Sequence, residues 1–259
     1  MKKSLLRTAS FMVVAALASF SSIQANPFVS VSFPVEKPSL NPETLYEEMH
    51  LEGVVDYTLF RRGLEGYNEL DPSRKEVLTL IDFTKSSGEE RFYVLDMKNK
   101  KLLFKTYVAH GKNSGKDFAT AFSNKYGSYM SSPGFYRTEN TYRGRNGYSL
   151  VLEGLEKGIN DNAKKRAIVV HGSNYVSPAI ADARGSVGRS LGCPALPREI
   201  SRKVIDVIKN GSLLYIHSNK SEYLSKSHII VNDTVPYASA ADSFANNWWM
   251  TQVPSFHMV

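Results

Sequence analysis

The chain has 259 residues, 42% apolar and 22% charged, with a formal net charge of +7. That size and apolar share allow one well-buried core and are short for two. The basic residues are not gathered into the clustered footprint of a nucleic-acid binder, so the balance suits ordinary solubility or an anionic polymer such as a cell wall.

In chain order, Lys2, Lys3 and Arg7 form a basic start, Phe11 to Phe20 an apolar run, and Ala25 a small residue before Asn26. This is the pattern of a secretory signal peptide over residues 1–25. The apolar run falls short of the ~20 residues of a permanent span, so no membrane span is expected in the mature protein. Cleavage removes three positive charges and lowers the formal charge from +7 to +4.

Pro27, Pro34, Pro38 and Pro42 then break up regular helix and read as an extended lead-in. Tyr57, Phe60, Leu64 and Tyr67 recur at helical spacing, predicting an amphipathic helix that ends between Gly66 and Asp71. Residues 26–75 are therefore expected to be a lead-in and a small helical N-terminal segment.

From residue 77 the texture changes to apolar runs of strand length: Val77 to Phe83, Phe92 to Met97, Leu102 to Ala109, Ser149 to Leu152, Ala167 to Val170 and Leu213 to Ile216. Asn99, Gly111 to Gly115 and Gly144 to Gly147 supply turns. Ile200, Val204 and Ile208 share one helical face after Pro197, with Asn210 and Gly211 as the stop. The predicted fold class is mainly β, a mixed sandwich or barrel-like catalytic core over residues 76–220 with a few flanking helices. Residues 221–259, including Trp248 and Trp249, show no period and read as a tail of unassigned role.

Cys193 is the single cysteine, so no internal disulfide can form. Exported proteins usually carry cysteines in pairs. A lone one is either an inert buried residue or a working thiol. An apolar run delivers His171 to a predicted strand end, and glycines flank Cys193 in Gly188-Arg189-Ser190-Leu191-Gly192-Cys193-Pro194, where backbone can approach a substrate. A neighbouring imidazole can activate a thiol by lowering its pKa, and His171 is the natural partner. Attack on a carbonyl creates an oxyanion that needs preorganised donors. Pro194 has no N–H, so the hole is expected to use the N–H groups of Cys193 and Gly192, with Leu191 as a third.

Around that pair, His110 could line the cleft or cap a strand. Tyr142 and Tyr175 could bind a peptide or simply pack. Arg189, like Arg143 and Arg145, could meet a carboxylate or stay a solvated charge. No His-Glu-x-x-His or similar helix motif occurs, so neither a metal nor a cofactor is expected.

These residues also carry a resemblance. His171-Gly172, then Ser190-Leu191-Gly192-Cys193-Pro194 some twenty residues on, resembles the murein L,D-transpeptidase catalytic domain family. The likeness continues upstream through Ala109-His110-Gly111-Lys112, Gly134-Phe135-Tyr136, Gly147-Tyr148-Ser149-Leu150, Leu152-Glu153-Gly154-Leu155 and Asn160-Asp161-Asn162-Ala163. The resemblance implies a cysteine that attacks the carbonyl following the L-centre of the third stem-peptide residue of peptidoglycan, commonly diaminopimelate, and expels the terminal D-alanine. A thioester results, taken by an amine in transpeptidation or by water in an L,D-carboxypeptidase. It further implies that the Gly172 carbonyl orients His171, that Ser190 matches the Ser/Thr preceding the Gly-Cys pair, that a carbapenem acylates Cys193, and that the protein works in the periplasm or cell envelope. Leu191 stands where the best-known branch has histidine, and Pro194 replaces a branched apolar residue followed by arginine, which leaves carboxylate recognition unassigned.

Chain order separates this reading from papain-like peptidases, in which cysteine precedes histidine. The non-enzymatic alternative is an envelope-binding module on the same fold with an incidental thiol.

Overall fold

The structure, a computed structural model, describes residues 41–70, 72–74 and 76–230. The expected signal segment, the lead-in through residue 40 and the tail beyond residue 230 lie outside the described residues.

Helix α1 (Pro42–Glu48) opens where Asn41 accepts the Thr44 N–H through its side chain at 3.0 Å. Pro42, grouped above with the helix-breaking prolines, instead begins this helix, because a proline at the first helical position loses no intrahelical bond. Helix α2 (Tyr57–Leu70) buries Leu59, Phe60, Gly63, Leu64 and Gly66 along one stripe. Gly66 is required there: a Cβ at that position would lie 2.1 Å from the Phe135 ring.

The remaining elements form one sheet of eight strands. They are β1 (Val77–Asp82), β2 (Phe92–Asp96), β3 (Lys101–Thr106), β4 (Gly134–Gly144), β5 (Gly147–Gly154), β6 (Val169–Ser173), β7 (Ala195–Pro197) and β8 (Leu213–His217). Their order is β3-β2-β1-β8-β4-β5-β6-β7. Pairs β1–β8 and β6–β7 are parallel and the others antiparallel. Beyond β3 the chain crosses to the opposite edge, where Ala109 bridges Ala195 and Gly111 bridges Ser190. This return links the two edges of the sheet and makes it barrel-like, as its mainly β sequence foretold.

Helix α4 (Arg198–Ile208) covers one face through Val204, Ile205 and Ile208, which share a core with Val170, Leu150, Leu196 and Ile216. Helices α1 and α2 cover the other, packing with Leu78, Leu80, Phe135 and Tyr215. Short α5 (Ser221–Leu224) joins that second core through Tyr223. Helix α3 (Pro178–Arg184) sits between a Ser177 cap and a left-handed Gly185.

Five elements, α1, β4, α3, β7 and α5, were not foreseen. In addition, His171 is the central residue of β6 rather than its end, because pairing with β7 continues through Gly172 and Ser173. Ala167, expected in that strand, has a φ of 53° and closes the preceding turn.

Candidate active site

Strands β6 and β7 bring the chemistry-bearing segments together. His171 is the register partner of Ala195, two residues beyond Cys193, and its N–H donates to the Pro194 carbonyl at 3.4 Å. In the same register Pro194 would donate to the Val169 carbonyl, but proline has no N–H, so the regular ladder stops there. The Cys193 thiol lies 3.7 Å from the Ala167 carbonyl. No hydrogen bond joins it to His171 among the described residues.

The His171 Nδ1 lies 3.1 Å from the Gly172 carbonyl. A carbonyl only accepts, so Nδ1 carries the proton and Nε2 has a free lone pair. Gly172 fits this place because a Cβ there would sit 2.3 Å from the Ser201 Oγ and 3.2 Å from the Arg198 Cα. Burial pushes the imidazole pKa below its ordinary value, and Arg198 adds to this against the bond to Gly172.

Cys193 is 8% exposed. Burial raises its pKa, opposed by the Val169 N–H and the Arg166 charge. The expected lowering of the thiol by His171 is therefore not seen in the resting site, where desolvation of the thiolate outweighs the groups that favour it.

The turn before the cysteine is tied by Ser190, whose hydroxyl donates to the Cys193 carbonyl at 2.6 Å and accepts the Gly192 N–H at 3.1 Å. Ser190 is buried and shapes the loop. Gly192, expected as an oxyanion donor, has its N–H engaged by the Ser190 hydroxyl. Its φ of 124° and a Cβ position 2.8 Å from the Met130 carbonyl explain the glycine. The Leu191 and Cys193 N–H groups have no hydrogen-bond partner among the described residues, and Leu191 is 59% exposed.

His110 is fully buried. Its Nδ1 accepts from the Arg91 Nη2 at 2.8 Å, and burial together with the Arg91 charge pushes its pKa down to about 4. It serves the site indirectly, its carbonyl accepting the Ser190 N–H at 2.9 Å. Arg189 is exposed and rests on the Lys112 and Gly115 carbonyls at 3.1 and 3.0 Å.

Tyr175 packs against Gly188 and lies close enough to Cys193 for the thiolate to raise its pKa further, beyond the larger effect of burial. Tyr142 is exposed and shares a row with Ser149 and His171, two strands from the histidine. Arg166 and Arg198, whose charges act on Cys193 and His171, were missed in the sequence. No spacing links either to its target. Among the described residues no cluster of His, Cys, Asp and Glu could hold a metal ion, and no helix is long and apolar enough to cross a membrane.

Residues 51–217 match the sequence model of the L,D-transpeptidase catalytic domain. No curated protein matches the chain. Similar solved structures include an L,D-transpeptidase from Mycobacterium smegmatis, at 14% identity and a TM-score of 0.35, covering 55% of this chain and 59% of that one. An L,D-transpeptidase from Mycobacterium tuberculosis H37Rv has 17% identity and a TM-score of 0.32, with coverages of 57% and 58%. The helical cell shape determining protein Pgp2 from Campylobacter jejuni has 14% identity and a TM-score of 0.33, with coverages of 56% and 45%. The chain thus spans less than two thirds of the length of each.

Proposed function

Because this chain belongs to the L,D-transpeptidase catalytic domain family, whose members modify peptidoglycan, we propose that it is an exported cysteine acyl-transferase acting on peptidoglycan stem tetrapeptides. The observation that carries the reading is the pairing of β6 with the Cys193 segment: His171 donates its backbone N–H to Pro194 while its Nδ1 is held by Gly172. Nε2 is thereby left as an acceptor on the strand beside the thiol.

In the proposed reaction the Cys193 Sγ attacks the carbonyl carbon that follows the L-centre of the third stem residue, and its proton passes to the His171 Nε2. The resulting oxyanion is met by the free N–H groups of Cys193 and Leu191. Collapse breaks the peptide bond, and the proton returns from His171 to the departing D-alanine amine, leaving a thioester. An acceptor amine then attacks this carbonyl, gives its proton to His171 and releases the thiol. Water in place of the amine yields the tripeptide, the L,D-carboxypeptidase outcome. Neither a metal nor a cofactor has a step in this chemistry. The export signal at residues 1–25 and an envelope location are part of the same proposal.

Intact-protein mass spectrometry after incubation with a disaccharide-tetrapeptide tests it. The expected result is a thioester adduct on the wild type, none on Cys193→Ala, and none on a folded His171→Ala. A cross-linked dimer among the products identifies transfer to an amine, whereas tripeptide alone identifies hydrolysis. A Cys193→Ala variant with full activity would leave an envelope-binding or thiol-independent protein instead.

A further inference from the structure

Arg166 ends the turn that leads into β6. Ala167 donates its N–H to the Lys164 carbonyl and Ile168 donates to the Ala163 carbonyl, both at 3.0 Å. These paired bonds close a helical turn through a left-handed residue, here alanine rather than glycine. The reversal puts Arg166 one residue before the carbonyl that faces the Cys193 thiol.

Its guanidinium gathers a loop from elsewhere in the chain. Nη1 donates to the Ser123 carbonyl at 2.8 Å and the Ser132 Oγ at 2.6 Å; Nη2 donates to the Ser128 Oγ at 3.3 Å and the Met130 carbonyl at 2.5 Å. Next to it, the Ser131 hydroxyl donates to the Gly192 carbonyl at 3.1 Å. A Cβ on Gly192 would lie 3.3 Å from the Arg166 Nη2. The guanidinium, residues 128–132 and the peptide preceding the cysteine thus form one packed cluster.

All four acceptors are neutral. Among the described residues no carboxylate pairs with Arg166, although Glu153 and Glu139 are engaged by nearby Arg137 and Lys164. A half-buried cation without a counter-charge favours any negative charge that develops beside it; the titratable groups its charge acts on are the Tyr136 phenol and the Cys193 sulfur, and burial holds the phenol far above its ordinary value, which leaves the sulfur as the one to ionise.

We propose that Arg166 is a positioning residue for the nucleophile: it clamps residues 128–132 against Gly192 and keeps an uncompensated positive charge at Cys193, favouring the thiolate and the oxyanion that follows it. The inference rests on Cys193 being the nucleophile.

Because Cys193 is the sole cysteine, its ionisation can be read without turnover, from the rate of iodoacetamide alkylation of the full chain against pH. Removing the charge in Arg166→Gln should move the midpoint upward by about one pH unit and lower kcat roughly tenfold with little change in KM. Arg166→Lys, which keeps the charge but not the fork, should leave the midpoint in place and recover only part of kcat. A folded Arg166→Gln with an unmoved midpoint and unchanged kcat overturns the proposal. If Arg166→Gln does not fold, Arg166→Lys decides: an unmoved midpoint supports the charge, while a raised midpoint, or failure of this variant to fold too, reduces Arg166 to a structural arginine. Loss of the nucleophile reading shows separately, as activity retained by Cys193→Ala.

Discussion

The His171 Nδ1 and the Gly172 carbonyl oxygen are 3.1 Å apart, a bond between adjacent residues that fixes the imidazole tautomer within a single strand. With Nε2 unprotonated and burial holding the imidazole below its ordinary 6.5 and the thiol above 9.0, the resting pair is neutral imidazole and neutral thiol. Proton transfer then accompanies attack. Activity is lost on the acid side when His171 protonates and on the alkaline side when the thiol proton, later needed by the leaving amine, is gone. The expected profile of kcat/KM is a plateau whose acid limb lies below pH 6.5 and whose alkaline limb lies above pH 9.0. An acid limb above pH 6.5 would contradict this account of His171.

Gly172 also touches α4, and that contact gives a second prediction. A methyl group added there meets the Ser201 Oγ at 2.3 Å, so Gly172→Ala should destabilise the protein by about 1–3 kcal/mol, the usual range for overpacking. Ser201→Ala removes the closest atom, and the double variant should recover part of the loss. The coupling is measured from urea denaturation of the four proteins as a double-mutant cycle. Additive losses would mean that the strain is not at Ser201.

Ser190 holds the nucleophile turn through two bonds of its hydroxyl. Ser190→Ala leaves the buried Cys193 carbonyl and Gly192 N–H without that partner, at a cost of about 1–3 kcal/mol. Because the freed Gly192 peptide precedes the proposed oxyanion donor, kcat should fall by more than KM rises. The comparison is steady-state kinetics at a temperature where both proteins are fully folded by circular dichroism. An equal kcat in the folded variant would mean that the turn keeps its shape without the hydroxyl.

The strands that the sequence revealed include fully buried ones and half-exposed ones such as β3, which is exposed or half-buried at all but its last residue. Every residue of β1 and of β8 is buried, so apolar residues dominate both. β4 escaped notice because only its first half is covered; Arg137, Glu139, Asn140 and Arg143 belong to a hairpin arm that faces water or ion pairs. Seven-residue α3 is too short to show a period. The segments bearing Cys193 and His171 were legible because a lone thiol among glycines and a histidine after an apolar run are both local signals. The surroundings of His110 were not legible: its partner Arg91 is nineteen residues away, and nothing nearby marks the histidine as buried. Arg166 was invisible because its meaning comes from residues 123–132, which reach it only through the fold.

Glu156 offers a test far from the thiol. It is buried, with Oε2 accepting the Phe135 N–H at 2.7 Å and the Tyr223 hydroxyl at 3.4 Å, and Oε1 accepting the Ser227 hydroxyl at 2.6 Å. It thereby ties α5 and the residues after it to the start of β4. Burial raises its pKa above 4.5 in spite of these three donors. A carboxyl raised on folding binds its proton more tightly in the native state, so its contribution to stability is complete at and below its unfolded value and declines as pH rises through the native one. In Glu156→Gln the amide oxygen can keep the Phe135 and Tyr223 bonds while the amide nitrogen donates to the Ser227 Oγ, and nothing at this position titrates. The stability of the variant relative to wild type, measured by urea midpoints, should therefore rise between pH 4.5 and pH 7. A relative stability that falls over the same interval would mean that the charged carboxylate, rather than the neutral acid, is the form that holds α5 in place.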